Sequence, residues 1–278
     1  MSWLSAVQTL REQRRPGVLV TITAVRGHAP RDAGAKMVVA SDESWGTIGG
    51  GNLEATALER ARAMLAADAA DTTEPTTLTV SLSDKAPSEH GQQCCGGEVV
   101  VLLEPLRVVP AVAIFGVGHV GLELARILAR HDLELHLIDS RSVALESSRL
   151  AVLDDAIARV HVHHSPVPEV ALGQVPAGTH VLVMTHDHAE DAALCDAALR
   201  CGHLGSIGLI GSSAKWARFE ALLRREGHDD TAVGRIQSPI GQRGLPGKDP
   251  ATIALSVAAE LLARVESPSA AGGSARPS

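Results

Sequence analysis

Ala111-Val112-Ala113-Ile114-Phe115-Gly116-Val117-Gly118-His119-Val120-Gly121 is an apolar run that ends in three glycines spaced G-x-G-x-x-G. A short apolar run bounded by glycine reads as a strand buried on both faces. Residues 122–129 then read as a helix, and 133–139 as a second strand that ends on Asp139, 18 residues after Gly121. Each part has a task in such a unit. The first glycine makes a tight turn, the second lets the main chain approach a pyrophosphate, and the third lets helix and strand pack closely. The helix N-terminus favours the anion, and the acid takes a ribose hydroxyl pair. The stretch therefore predicts a Rossmann unit in which Gly116, Gly118, Gly121 and Asp139 would hold NAD(P). Arg141 would accept a 2′-phosphate or cap the loop.

Working toward the carboxyl end, residues 158–163, 180–185 and 206–210 read as further strands of the same sheet, with helices at 189–201 and 213–225 between and after them. Thr185-His186-Asp187-His188 follows a strand at the sheet's carboxyl edge, where open α/β sheets bind ligands. Its two histidines with Glu190 and Asp191 offer metal-type ligands. The other reading is that Asp187 or Thr185 caps the next helix; both readings line the crevice. Gly211-Ser212-Ser213-Ala214-Lys215 is a second glycine-then-helix turn, for an anion or for backbone capping. His161, His163 and His164 read as surface or sheet-edge residues, and Cys195 and Cys201 as packing residues. Asp249 and Pro250 start a last helix at 251–265, and 266–278 reads as a disordered tail.

Toward the amino end lies a different α/β arrangement. An amphipathic first helix precedes a β-branched strand at 18–25, and a loop follows that carries His28, Arg31 and Lys36. A short strand at 37–40 leads to Gly49-Gly50-Gly51 and a helix opened by Asn52. Glycines running into a helix start suit a phosphate, and Arg31 and Lys36 supply complementary charge. Strands at 77–83 and 98–106 bracket Gly91-Gln92-Gln93-Cys94-Cys95-Gly96-Gly97. Adjacent side chains in a regular strand point to opposite faces, so Cys94 and Cys95 can share a target only where glycines turn the chain. Thiolates are soft ligands and nucleophiles, suited to a soft metal, a sulfur-transfer partner or a redox couple. Spacing alone leaves open a second reading, two small hydrophobic residues packed beside a glycine turn. The expected domains are 1–107 and 108–265.

Composition narrows the function. A net charge of −7 carries no basic footprint, which argues against nucleic acid, and no apolar run is long enough to cross a bilayer. Four cysteines and no signal peptide fit a reducing cytoplasm. With three Trp, two Phe and no Tyr, a flat heterocycle would be held mainly by backbone and polar groups. The absence of Tyr also removes the Tyr-x-x-x-Lys arrangement for hydride transfer.

Taken together, GHAPRDAGAKM (27–37), WGTIGGGNLEA (45–55), GQQCCGG (91–97), IFGVGHVG (114–121), LIDSR (137–141), VMTHDHAEDAAL (183–194), IGLIGSSAKWARF (207–219) and RIQSPIG…GKDPATIALSVAAELL (235–262) resemble the xanthine dehydrogenase accessory protein family, XdhC, of the XdhC/CoxI group. The resemblance covers nearly the whole of residues 1–265. It implies an XdhC/CoxI-type α/β domain followed by a Rossmann-like doubly wound parallel sheet. It also implies a chaperone that binds molybdenum cofactor (molybdopterin), protects it during sulfuration by a cysteine desulfurase and inserts it into apo-xanthine dehydrogenase, whose molybdenum-binding subunit is the partner. By position, Cys94 and Cys95 would face the molybdenum or the incoming sulfur. Gly49, Gly50 and Gly51 with Arg31 and Lys36 would hold the pterin phosphate across a shared pocket, an assignment that rests on the physical argument above. Ser238 stands before Pro239 where many members carry cysteine, which weakens a role for a third thiol. A cytoplasmic homodimer is expected. The competing expectations are an NAD(P)-dependent oxidoreductase with Cys94 as nucleophile or redox thiol, and a nucleotide-sensing module.

Overall fold

In the computed structural model the residues described are 1–67, 74–82, 97–242 and 247–266. They form two compact units, one within Met1–Val108 and the other spanning Val109–Glu266.

The first unit is one antiparallel sheet with a helix on each face. Its strands are β1 (Gly17–Arg26), β2 (Lys36–Val39), β3 (Ser44–Gly46), β4 (Thr76–Ser81) and β5 (Glu98–Leu106), in the order β3-β2-β1-β5-β4. Period-two alternation decides which residues meet which helix. Val18, Val20, Ile22, Met37 and Val39 join Val99, Val101 and Leu103 under Leu53, Ala57, Ala61 and Met64 of α2 (Gly51–Ala66). Val38 and Ala40 face the other way, onto Ala6 and Leu10 of α1 (Trp3–Glu12). β1 slips register between Ile22 and Ala24 against β5, an irregularity that bends the end of the pair.

The second unit is a six-stranded parallel sheet of β6 (Ala111–Phe115), β7 (Glu134–Asp139), β8 (Arg159–His164), β9 (His180–Val183), β10 (Ser206–Leu209) and β11 (Ile236–Gln237). The order β11-β10-β9-β6-β7-β8 runs outward from β6 to β8 on one side and from β9 to β11 on the other, as in a doubly wound nucleotide-binding sheet. α3 (His119–Leu128) and α8 (Pro250–Glu266) cover one face, burying Leu124, Leu128, Ala254 and Val257 against Val112, Ile114, Leu135 and Leu137. The other face, Phe115, Val181, Val183, Ile207 and Leu209, packs under α5 (His188–Arg200) and α6 (Ser213–Arg225), joined by a 3-10 turn at Pro168–Gly173. Short helices α4 (Ser147–Leu150) and α7 (Asp230–Val233) complete the connections. β6 is buried at every position, which explains its unbroken apolar run.

Candidate functional site

In the first unit, the loop after β1 organises one end of the sheet. Gly34 N donates to Ile22 O and Ile22 N to Ala35 O, so the loop folds back on its own strand. Pro30 lies against the glycine turn: a Cβ on Gly49 would meet Pro30 Cγ at 2.5 Å and Arg31 Cγ at 3.5 Å. Gly97, which borders the cysteine stretch, packs against the same loop, its virtual Cβ 2.2 Å from His28 O. Leu82, the last described residue before that stretch, donates its N–H to Gly97 O at 2.7 Å. The loop, the glycine turn and both roots of the cysteine stretch thus meet. Cys94 and Cys95 themselves lie outside the described residues.

The turn differs from the expected cradle in a specific way. Glu54, in the first turn of α2, accepts hydrogen bonds at one carboxylate oxygen from Thr47 Oγ1, from Ile48 N at 3.1 Å and from Gly50 N at 3.1 Å. Gly49 N donates to Thr47 Oγ1. The protein's own carboxylate therefore occupies the position where a phosphate was expected. Gly50, at φ 72° and ψ −173°, holds a backbone shape open essentially to glycine alone. The two cations also part company. Arg31 stays exposed beside Gly49. Lys36 leaves the opposite face of β2, where its Nζ donates to Thr21 Oγ1 at 2.9 Å and sits 5.5 Å from the Trp3 ring of α1.

In the second unit, the crevice between β6 and β9 is built from the glycine motif and the residues after β9. A Cβ on Gly116 would lie 2.4 Å from Met184 O, and Met184 N donates to Phe115 O at 2.8 Å. A Cβ on Gly121 would lie 2.1 Å from Gly116 O, whereas one on Gly118 would meet nothing within 4 Å. Turn, open approach and tight packing are thus allotted to the three glycines in the expected order. Asp139 is not open to a ribose. It is 2% exposed, and its two oxygens accept from Val117 N, Arg141 N, Arg141 Nε and a terminal nitrogen of Arg141. Arg141 caps the loop. Burial alone would raise the Asp139 pKa, but the hydrogen bonds from Arg141 and Val117 outweigh it and hold the carboxyl below its usual value.

That shift has a sign in solution. A depressed folded-state pKa contributes stability above the unfolded value of about 3.9, and the contribution vanishes as pH falls through the lower folded value. Asp139→Asn is therefore expected to flatten the loss of stability below about pH 4, measured by chemical denaturation across that range.

Of Thr185-His186-Asp187-His188, Thr185 lies beside the glycine turn, its Cα 2.7 Å from the virtual Cβ of Gly116, and Asp187 caps the next helix. Asp187 accepts from Ala189 N and Glu190 N at the start of α5, and these backbone bonds lower its pKa. Glu190 accepts from Ser140 Oγ at 2.7 Å. Asp191, completely buried, accepts from Thr185 N and Oγ1 on one oxygen and from Lys215 Nζ on the other. Lys215 also donates to Ile210 O at 3.0 Å, and Ser212 caps α6. Of the metal-type residues of this stretch, Glu190 and Asp191 are thus drawn into hydrogen bonds and an ion pair, whereas His186 and His188 stay exposed, His188 edge-on to Phe219 with centroids 6.4 Å apart. Cys195, on the buried side of α5, lies in the core, and burial together with Asp191 pushes its thiol up to about 12, which makes it inert at neutral pH.

Residues 112–261, more than half of the chain, match the XdhC Rossmann domain. The chain belongs to the XdhC family. Residues 10–76 match the domain described as the XdhC and CoxI family. The two XdhC-type matches contain Arg31, Lys36, Gly49–Gly51, Gly116, Gly118, Gly121 and Asp139, and Cys94 and Cys95 fall between them. Uncharacterized protein YqeB of Escherichia coli strain K12 is 25% identical over 262 residues, which are 94% of this chain and 46% of that protein. The chain thus spans about half the length of the curated relative it matches. A crystal structure described as a xanthine dehydrogenase from Bacillus halodurans shares the fold, with a TM-score of 0.50, 20% identity and 98% of each chain covered. Among the described residues no helix is long and apolar enough to cross a membrane.

Proposed function

We propose that this XdhC-family chain is a maturation factor, not a catalyst. In this reading it binds molybdenum cofactor, supports its sulfuration and delivers it to apo-xanthine dehydrogenase in the cytoplasm. The observation that carries the reading is the meeting of three sequence blocks in the first unit: the 27–35 loop, the glycine turn and both roots of the cysteine stretch. Cys94 and Cys95 are the residues that would hold the metal end, since thiolates ligate soft centres. When bound, the cofactor supplies the molybdenum centre that the client enzyme needs. At the glycine turn the fit to a phosphate fails as the turn stands, because Glu54 already takes the Ile48 and Gly50 amides. Arg31, exposed beside Gly49, is the member of the expected set that suits the pterin phosphate. A cysteine desulfurase and the molybdenum-binding subunit of the client are the proposed partners, with a homodimer as the assembly.

The oxidoreductase reading has one favourable observation, the open position at Gly118. Against it, both oxygens of Asp139 are bound by Arg141, so the ribose end of NAD(P) does not fit, and no hydride-transfer step follows.

The test measures pterin fluorescence released from the purified full-length chain alongside turnover of NAD(P)H. Wild type is expected to carry pterin, Cys94→Ser to lose it by about tenfold or more, and Arg31→Glu to weaken its retention. A pterin-free wild type with robust NAD(P)H turnover would reverse the reading.

A further inference from the structure

The edge of the parallel sheet carries a polar cluster that the maturation role leaves unused. Glu134 and His136 alternate along β7, His161 and His163 along β8, and the parallel register sets His136 opposite His161 and Ile138 opposite His163. All four polar side chains therefore leave the same face of the sheet. The His136 and His161 rings stack with centroids 4.6 Å apart and planes at 13°. Glu134 and His136 are buried, although both lie next to an edge strand. β8 is the edge strand and His164 is exposed on it, as expected, but His161 and His163 are half-buried and turn in toward His136.

We propose that Glu134, His136 and His161 form a site for one divalent first-row cation of the Zn2+ type. One carboxylate oxygen and two imidazole nitrogens lie within 4.8 Å of one another. Bonds of about 2.0–2.2 Å put neighbouring ligands of a tetrahedral ion about 3.3 Å apart. On binding, rotation about the side-chain torsions would have to close that difference. The pairing of nitrogens suits ligation. His136 Nδ1 lies 3.2 Å from His163 Nε2, which leaves His136 Nε2 on the side of Glu134, 4.0 Å from its carboxylate. A metal-bound imidazole commonly gives its second N–H to an acceptor, and with His136 protonated at Nδ1 the Nε2 of His163 would serve as that acceptor. His161 Nε2 is buried and has no hydrogen-bond partner among the described residues. A buried nitrogen of this kind is costly unless something binds it. Two imidazoles and one carboxylate with a fourth position for water make a donor set that Zn2+ favours. One competing cation is Arg159, 4.0 Å from the other Glu134 oxygen and about half exposed, so it can swing to solvent when a metal enters. Bound there, the ion would cross-link the edge strand β8 to β7.

Titration of the full-length chain with Co2+, followed by visible absorption, tests this. The expected result is one Co2+ per chain, with the strong absorption of a tetrahedral ion and no thiolate charge-transfer band. Binding should be unchanged in Cys94→Ser/Cys95→Ser and weakened by at least about tenfold in His161→Ala, whose edge position lets the chain fold. Zn2+ should raise the melting temperature of wild type but not of His161→Ala. Absence of stoichiometric binding would overturn the site. So would binding that survives His161→Ala, or binding that disappears with the two cysteines.

Discussion

Asp191→Asn is expected to destabilise the parallel-sheet unit by about 3–5 kcal/mol. The carboxylate is completely buried, and its partner Lys215 has a side chain only 13% exposed. Removing the negative charge leaves an ammonium with one remaining acceptor, Ile210 O, and the weak attraction of the Phe219 face 5.3 Å away. An asparagine oxygen can still accept from Thr185, but its amide group would point N–H donors at Nζ. The pair joins the ends of two strands to the starts of two helices, because Thr185 follows β9 and Ile210 follows β10. Loss of protection should therefore appear first in hydrogen exchange of the β9 and β10 amides. Lys215→Met should cost a similar amount by stranding the carboxylate. The double variant should recover much of the loss, since a buried ion pair contributes little net stability over apolar residues of like volume. Single variants within about 0.5 kcal/mol of wild type would show that water reaches the pair.

That ion pair also marks where sequence reading stops. Asp191 and Lys215 stand 24 positions apart, and each has a plausible local task, metal ligation for one and anion binding for the other. Only the tertiary approach of α5 and α6 makes them partners. Glu54 shows the same limit at shorter range. Glycines before a helix announce an anion site, but an acid in the first helical turn can fill it from within the chain. A signal was available at Lys36: strict alternation with Met37 places it on the face opposite α2, away from the glycine turn. The glycines of 116–121 were legible because their constraint lies in the backbone and needs no distant partner. β3 and β11, with three and two residues, are too short for any period to register. The histidine pairing across β7 and β8 required knowledge of which strands adjoin, since β8 alone reads as an exposed edge.

Gly121→Ala is expected to destabilise the same unit by about 3 kcal/mol or more, and comparison with Gly118→Ala separates architecture from ligand binding. In an ordinary helix the change to alanine would gain about 1 kcal/mol. Here the added methyl would sit 2.1 Å from Gly116 O and 3.1 Å from its carbonyl carbon, both backbone atoms that cannot rotate aside. The clash forces α3 away from β6, where Leu124 and Leu128 are fully buried, so the packing loss exceeds the gain in helix propensity. Gly116→Ala should be at least as severe, because a Cβ 2.4 Å from Met184 O is combined with φ +103°, a conformation that strains an L-residue by about 1–2 kcal/mol. Gly118 has neither problem, since it lies at φ −74° with nothing within 4 Å of its virtual Cβ. Gly118→Ala should therefore change stability by less than about 0.5 kcal/mol while filling the space through which a pyrophosphate would reach the helix start. Denaturant titration of the three variants, paired with calorimetric titration of wild type and Gly118→Ala by NAD+ and ADP, separates the possibilities. Nucleotide binding lost in Gly118→Ala at unchanged stability would assign the crevice to a phosphate ligand. Wild type without binding, beside destabilised Gly116→Ala and Gly121→Ala, would mean that this XdhC-family unit keeps its glycines for packing alone.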